Sequence, residues 1–472
     1  MRFTRFGKAL CMCALSVGVV FGITSCVQSY TVGYLYVTGN VTASPGSNGI
    51  ITGIRIDHNT GLMLPINGLP VSSGGANPVR AVLTLGSRFL YVLNRGVNSQ
   101  GTGNCTLADP CQNANITQFV VGGNGILTPQ ETFYTQGLNP FRLITDSSGS
   151  YLMVLDHDAP DNLNPTSTDN CALALGTLGL AGGSPVQTCG DVTVLKIDQT
   201  TGRLSLVENN QVTAANGSPI TYFPVPANPV DFVFSGSFLL TLTGAPSPTP
   251  SYPYTGGTEV WPYGYTSSSG QLTLSQNGVQ QLFTTAGPVK QANAIVNANS
   301  VIYVLDNEPV TITAASNSSF AAGTYPSQII PYSAPAGTLQ AQTSGVIPDD
   351  PTLANPIYLL VESKGKYLYV ANQGNNTTGN NPASGIAAYD LFFSPAFQAS
   401  FMPDEPFGSG SGPQCIVEDP SDQFIYEANQ YDSTVTGRVL QPESGELLNM
   451  RVTSTYSLEG QPTWCVMDGR TN

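Results

Sequence analysis

Charged residues are scarce in this chain of 472 residues. Asp, Glu, Lys and Arg make up 10% of it, against about 25% in an average globular protein. Acidic residues outnumber basic ones by 30 to 16, which gives a net charge of −14. That charge is opposite to what binding to nucleic acid, or electrostatic binding to anionic lipid, requires. Neither class of partner is therefore expected.

Histidine and the common catalytic motifs are also nearly missing. The only histidines are His58 and His157, although histidine is the most frequent general base near neutral pH. The sequence contains no G-x-S-x-G, H-E-x-x-H or P-loop pattern. Cys105 and Cys111 lack the spacing and the partner ligands of a zinc site. We predict no bound metal and no cofactor, and it stays open whether the protein is an enzyme.

The first 25 residues have the pattern of an export signal. Three basic residues precede an apolar stretch over 9–23, and small residues follow it. Residues 23–26, Ile-Thr-Ser-Cys, resemble the bacterial lipobox, in which the cysteine becomes the lipid-bearing N-terminus. We predict a lipoprotein signal over 1–25 and lipidation of Cys26; the alternative is an ordinary signal peptide. The protein would then be anchored in the bacterial cell envelope, on the periplasmic side or the cell surface, through this lipid alone.

Removal of the signal leaves 13 basic and 30 acidic residues, a net charge of −17. Six cysteines remain besides Cys26, and an even number in an exported chain permits disulfides. Two pairs are predicted because each flanks one loop, namely Cys105–Cys111 and Cys171–Cys189. The remaining two, Cys415 and Cys465, either form a third disulfide or stay as buried thiols.

A short aromatic and β-branched run recurs seven times. The runs begin at Tyr34, Phe89, Tyr151, Phe238, Val301, Tyr367 and Phe424, at intervals of 55 to 87 residues. Between runs the chain repeats a second strand, a T/S-G-x-L hairpin and a strand introduced by proline. Seven units of four strands, without a segment of helical period, predict an all-β fold, a seven-bladed β-propeller with four antiparallel strands per blade.

The two ends of the chain complement each other. Residues 461–468 have the pattern of an innermost strand with no aromatic run behind it, whereas the first unit begins without an innermost strand. The C-terminal strand is therefore predicted to complete the first blade, which closes the ring and leaves no open edge. Residues 26–472 would form one domain. Insert loops at about 96–112 and 157–189 are expected on the face where the innermost strands begin.

Equivalent positions of a propeller form a ring, and one such ring here is polar. The residue two after each innermost-strand proline is Arg80, Arg142, Asp231, Lys290, Tyr358, Cys415 or Trp464. Three cations and one anion at the mouth of a channel would attract an anionic ligand. The candidate ligand-binding residues are Arg80, Arg142, Lys290, Tyr358 and Trp464. Alternatively, these side chains pair with one another and plug the channel.

The repeated segments YLYVTGN, FLYVLNRG and YLYVANQG, with the hairpins and proline-led strands, resemble the seven-bladed lactonase family, the 6-phosphogluconolactonase-like or YVTN-type propellers. The resemblance extends from about residue 34 to residue 468. It implies the propeller fold and suggests lactone hydrolysis or cycloisomerisation. Family lactonases carry Pro-Arg-His at the innermost strand, with the histidine at the ring position. No ring position of this chain is histidine, and Arg80 and Arg142 occupy two of them.

Two functional hypotheses follow. The first is a monomeric envelope propeller that binds a small anionic molecule, or an envelope protein, through its top face and channel mouth. The alternative is a lactone hydrolase or cycloisomerase acting on an anionic lactone or sugar acid. In that case the cations would stabilise developing oxyanion charge, and Asp231 or His157 would serve as the base. The chemistry of the ring favours binding.

Overall fold

The computed structural model describes residues 30–469, apart from 42–45, 85, 87, 161–188, 215–216, 227, 245–256, 275–279, 285–286, 315–318, 343, 376–382 and 395. Seven antiparallel sheets of four strands form the blades, and some of their third strands also pair with a fifth, short strand. The predicted all-β, seven-bladed propeller is confirmed. Among the described residues, no helix is long and apolar enough to cross a membrane.

The strands of each blade are given from the channel outward. Blade 1 holds Gln461–Met467, Thr31–Asn40, Asn48–Asp57 and Met63–Pro65. Blade 2 holds Pro78–Leu83, Phe89–Asn94, Asn115–Val121 and Leu127–Phe133. Blade 3 holds Leu138–Thr145, Tyr151–Asp158, Cys189–Ile197 and Leu204–Leu206. Blade 4 holds Pro229–Ser235, Phe238–Thr243, Glu259–Thr266 and Gln271–Leu274.

The remaining blades follow the same order. Blade 5 holds Ala292–Ala298, Val301–Asp306, Gln328–Ser333 and Gln340–Ala341. Blade 6 holds Pro356–Val361, Tyr367–Asn372, Gly385–Phe392 and Gln398–Phe401. Blade 7 holds Pro413–Glu418, Phe424–Asn429, Thr434–Leu440 and Leu447–Asn449.

The fifth strands are Val71–Ala76, Phe223–Pro226, Gln280–Gln281, Ile347–Pro348 and Thr455–Ser457. Separate two-stranded sheets join Asn209–Thr213 to Pro219–Ile220, Phe283–Thr284 to Gly287–Pro288 and Val310–Ile312 to Gly323–Tyr325.

The aromatic runs and the hairpin glycines contact each other across blades. Each run is the second strand of its blade, and its third residue is a fully buried tyrosine in five of the seven blades. Four of these tyrosines donate a hydrogen bond of 2.5–2.9 Å to the carbonyl oxygen of a hairpin glycine in the next blade. The pairs are Tyr36–Gly125, Tyr91–Gly202, Tyr369–Gly445 and Tyr426–Gly61. The two repeated sequence signals are thus the two halves of one contact between blades.

Glycine is required at these hairpins for two reasons. Gly61 has φ +68°, a conformation in which other residues are strained, and a Cβ there would lie 2.4 Å from the ring of Phe424. Gly445 repeats this geometry, with φ +71° and a Cβ position 2.5 Å from Tyr367. Each hairpin therefore packs directly on the first aromatic residue of the neighbouring run.

The ring closes as the sequence predicts. The C-terminal strand Gln461–Met467 pairs with Thr31–Asn40, with Met467 opposite Leu35 and Trp464 opposite Thr38. Cys465 of this strand also forms a disulfide with Cys415, the innermost strand of blade 7, with the two Cα atoms 5.9 Å apart. The third disulfide left open by the sequence is therefore present, and it joins the last blade to the first.

The other cysteines bear on the insert loops. Cys105 and Cys111 form the predicted disulfide, and the backbone N–H of Cys111 donates to Asn139 Oδ1, 2.8 Å away at the start of an innermost strand. The insert at 96–112 thus lies on the expected face. Cys189 is disulfide-bonded, but its predicted partner Cys171 and most of the second insert lie outside the described residues, as does Cys26.

Candidate functional site

Strand register determines which residue of each innermost strand belongs to the ring. In blade 5 the register assigns a different residue from the one predicted from the sequence. In blade 2, Pro78 lies opposite Asn94 and Arg80 opposite Leu93. The corresponding pairs in blade 5 are Ala292 with Asp306 and Ala294 with Leu305. Alanine therefore occupies the ring position of blade 5.

The predicted place of Lys290 in the ring is consequently wrong. Pro288, taken from the sequence as the start of an innermost strand, belongs instead to a short sheet with Phe283–Thr284. Lys290 follows it as an exposed residue whose backbone N–H donates to Glu308 Oε2 at 2.8 Å. The ring therefore carries two arginines and one aspartate rather than three cations and one anion.

Five of the other candidates line a single cavity of about 140 Å³ in the central channel. These are Arg80, Arg142, Asp231, Tyr358 and Trp464. The remaining lining residues come from the same innermost strands at positions after the ring, as far as Leu83, Thr145 and Val466. The cavity therefore extends from the ring toward the ends of the innermost strands, away from the face that carries the 96–112 insert.

Asp231 is held in place by three hydrogen bonds. Its Oδ1 accepts from Arg142 Nε at 3.1 Å and from the backbone N–H of Phe232 at 3.0 Å. Its Oδ2 accepts from the backbone N–H of Ile295, 3.1 Å away in blade 5. Asp231 thus compensates the charge of Arg142 and joins blades 3, 4 and 5 at the channel.

Arg80 has aromatic neighbours instead of a carboxylate. Its guanidinium carbon lies 3.7 Å from the centre of the Trp464 ring, and Trp464 meets Tyr358 edge to face at 4.8 Å. Its Nη1 donates to the backbone oxygen of Val79 at 3.1 Å. Within the described residues, Arg80 has no carboxylate within ion-pair distance. Burial, followed by the nearby charge of Arg142, lowers the pKa of Arg80 to about 9, so it stays cationic at neutral pH.

The ring therefore has one positive charge in excess, because two guanidinium groups face one carboxylate. Arg95, which the sequence analysis did not single out, is close enough for its charge to interact with that of Arg142, but the charge of Asp158 opposes this effect. Arg95 follows the second strand of blade 2 directly, and burial and the charge of Arg142 both lower its pKa. The sequence signal that could have identified Arg95 is its place in the segment FLYVLNRG, at the end of the strand nearest the ring.

The histidine candidates lie elsewhere. His157 is in the second strand of blade 3, where its Nδ1 lies 3.1 Å from Asp158 Oδ2 and its side chain is 42% exposed. His157 is not among the residues that line the channel cavity. His58 stacks on Tyr30, with ring centres 4.4 Å apart, at the edge of blade 1. The structure thus does not bring His157 together with Asp231 in the described cavity.

The chain matches known proteins in structure and not in sequence. No protein-family model matches the chain, and no curated protein matches its sequence. Among solved structures, a proposed 6-phosphogluconolactonase of Bacteroides fragilis is 14% identical, with a TM-score of 0.58 over 94% of this chain and 99% of that one. The periplasmic gluconolactonase PpgL of Pseudomonas aeruginosa is 16% identical, with a TM-score of 0.55 over 93% and 99%.

At such identities the likeness establishes the fold, which can host many activities. It agrees with the resemblance seen in the repeated sequence segments and covers nearly the whole of each chain. The chain shares its β-propeller fold with proteins described as gluconolactonases.

Proposed function

We propose that the protein is an exported β-propeller that binds a small anionic ligand in its central channel. The observation that carries this proposal is the charge of Arg80, a cation facing a cavity without a carboxylate partner among the described residues. A buried or half-buried charge without a counter-ion is costly, and a bound anion would remove that cost. The stacking on Trp464 holds the guanidinium in one orientation, which lowers the entropic cost of binding.

Export is supported by the disulfides of the chain, since disulfides persist in oxidising compartments. Together with the lipobox-like segment, they favour a lipid-anchored protein of the cell envelope. Attachment through Cys26 would leave the whole propeller in the aqueous compartment, where small anions have access to it.

Arg80→Ala is expected to weaken the binding of small anions at least tenfold, because the only uncompensated cation of the ring is removed. Trp464 provides the signal: the chain has two tryptophans, and Trp261→Phe leaves Trp464 as the single tryptophan, whose fluorescence can be excited selectively over that of the tyrosines. Titrations of this protein with acetate and with inorganic phosphate give the affinities, which isothermal calorimetry checks.

Arg88→Ala is the matched control. Arg88 also lies over an aromatic ring, that of Phe89 at 5.2 Å, but it is exposed and donates to the backbone oxygens of Gln199 and Thr200 outside the channel. Its loss is expected to leave anion affinity unchanged. Equal affinities of the Arg80→Ala and Arg88→Ala proteins would contradict the proposed site.

Lactone hydrolysis is the second candidate, favoured by the fold shared with proteins described as gluconolactonases and by a carboxylate in the cavity. Asp231 is a weak candidate for the base, because its two oxygens already accept three hydrogen bonds and are engaged with protein donors instead of a water molecule. With no histidine lining the cavity, the arrangement holds an anion better than it activates water.

Asp231→Asn separates the two candidates. We expect the variant to bind acetate at least as tightly as the wild type, because the cavity loses a negative charge. We also expect wild type and variant to hydrolyse gluconolactone at the same background rate, measured by proton release. A wild-type rate clearly above that of Asp231→Asn would favour the lactonase.

A further inference from the structure

The channel cavity has one charged end and an aliphatic remainder. Beyond Arg80, Arg142 and Asp231, its walls are built from side chains such as Leu83, Leu143, Val233, Val296, Ile357 and Val466. Four further residues with polar side-chain groups line it, Tyr358 and Trp464 at the charged end and Thr145 and Asn297 beyond it, and the Asn297 amide already donates to the backbone oxygen of Phe234 at 2.8 Å. Away from the charged end there is thus little to bond the hydroxyl groups of a sugar.

The size of the cavity sets how much of a ligand it can bury. Its volume of about 140 Å³ is close to that of an engineered apolar cavity of about 150 Å³ that binds benzene. A six-membered carbon ring, or a chain of similar volume, therefore fills it. A sugar acid with a hydroxyl group on nearly every carbon is larger and would bury several hydroxyls against aliphatic walls, where each unpaired polar group weakens binding.

The charge of the ring selects among anions. Two guanidinium groups and one carboxylate leave a single positive charge, which a monoanion neutralises and a phosphate dianion exceeds. The planar donor fork of a guanidinium also matches the two oxygens of a carboxylate. Aromatic contacts from Trp464 and Tyr358 border the charged end, so the carbon next to the carboxylate meets apolar surface.

We propose that the ligand is a monocarboxylate with a compact apolar body of about six carbons, its carboxylate on Arg80 and its hydrocarbon part among the aliphatic ends of the innermost strands. This rests on the proposed anion site and narrows it to one chemical class. A free acid and the product of an ester or lactone opening share this chemistry, so either source would supply it.

The test is a ligand series on the Trp261→Phe protein, with acetate, butyrate, hexanoate, cyclohexanecarboxylate, gluconate and inorganic phosphate. Affinity is expected to rise about fourfold per added methylene until the cavity is full, since each buried methylene contributes a constant increment. Cyclohexanecarboxylate should bind at least thirtyfold more tightly than gluconate. Calorimetry should show the negative heat-capacity change that accompanies burial of apolar surface.

Val296→Thr tests the wall without changing its shape, because threonine has nearly the volume of valine. Val296 lines the cavity in blade 5. The variant should bind hexanoate several-fold more weakly and acetate as the parent does, which also shows that the protein is folded. Unchanged hexanoate affinity in the variant would contradict the proposed position of the hydrocarbon part.

The outcomes separate this inference from the anion site itself. If gluconate or phosphate binds as tightly as cyclohexanecarboxylate and Arg80→Ala abolishes both, the apolar ligand class is wrong and the anion site remains. If none of the six anions binds, the anion site is wrong, and the inference falls with it.

Discussion

Replacing Cys415 and Cys465 together by alanine is expected to lower the free energy of unfolding by about 4 kcal/mol in the chain-entropy model. The disulfide joins positions 50 residues apart, and cross-linking removes more entropy from the unfolded chain as the closed loop grows. It also links the innermost strands of blades 7 and 1, where the N- and C-terminal parts of the chain meet. Under oxidising conditions, which keep the wild-type disulfides formed, the double variant should unfold at a lower urea concentration than the wild type.

The disulfide Cys105–Cys111 offers the matched comparison. It closes a loop of separation 6 within one insert, and its removal is expected to cost about 2 kcal/mol by the same model. The order of the two losses is the critical result. If both double variants unfold at the same urea concentration, the disulfide between blades does not stabilise the ring more than a local one does.

Ring closure also positions the ligand site. Trp464 belongs to the C-terminal strand, next to Cys465, and Arg80 stacks on it from blade 2. Thr463 Oγ1 donates to the backbone oxygen of Pro78, so the C-terminal strand also contacts the start of the innermost strand of blade 2. The residues that close the propeller are therefore the residues that orient its uncompensated cation.

The sequence predicts the fold well because its repeat is a physical contact. Tyr426 and Gly61, 365 residues apart, form the same hydrogen bond as Tyr36 and Gly125 within neighbouring blades. The repeated aromatic run and hairpin glycine in the sequence therefore correspond to a contact that is repeated between neighbouring blades. The closing strand and the Cys105–Cys111 disulfide follow from the same local signals, with no knowledge of distant contacts.

The site is less predictable because it depends on register and on neighbours. Proline precedes the aromatic run by 11 residues at Pro78, Pro140, Pro356 and Pro413, but Pro288 precedes its run by 13. Pro229 also departs from this spacing, at 9 residues, yet Asp231 belongs to the ring, so the spacing alone does not show that Lys290 is outside it. Arg142 pairs with Asp231 of the next blade, and Arg80 stacks on Trp464 of the first blade. Because such contacts join different blades, the spacing of residues along the sequence does not predict them.

The seventh aromatic run differs from the other six at its fourth residue. The fourth residue of the aromatic run is valine in five units, threonine in one and glutamate in the last, Glu427. In the structure Glu427 is fully buried in the second strand of blade 7. Burial raises its pKa to about 8, and the charge of Arg438 and the hydroxyl of Thr436 oppose this only in part. Glu427 is therefore mainly protonated at neutral pH.

This carboxyl group should make the protein less stable as the pH rises. The unfolded chain releases the proton near the ordinary value of about 4.3, whereas the folded chain keeps it to about pH 8. Between these values the folded state binds more protons, so the free energy of unfolding falls with increasing pH. The stabilisation is complete below the unfolded pKa and is lost as the pH passes through the folded one.

Glu427→Gln removes this dependence while keeping the shape of the protonated side chain. We expect the variant to match the wild type near pH 4 and to exceed it by roughly 4 to 5 kcal/mol at pH 8, at about 1.4 kcal/mol per pKa unit. Urea unfolding of both proteins at several pH values measures the difference. Other buried acids, such as Asp349 and Glu405, also have raised pKa values, but they are common to both proteins and cancel.

Glu443→Gln is the control, because Glu443 is an exposed glutamate of the same blade. Its loss should leave the pH profile of the wild type unchanged, so a gain at pH 8 seen only for Glu427→Gln belongs to the buried carboxyl. Parallel profiles for Glu427→Gln and the wild type would show that Glu427 is ionised in the folded state. Arg438 would then have to compensate its charge fully, and the interface between blades 6 and 7 would contain a buried ion pair instead of a neutral acid.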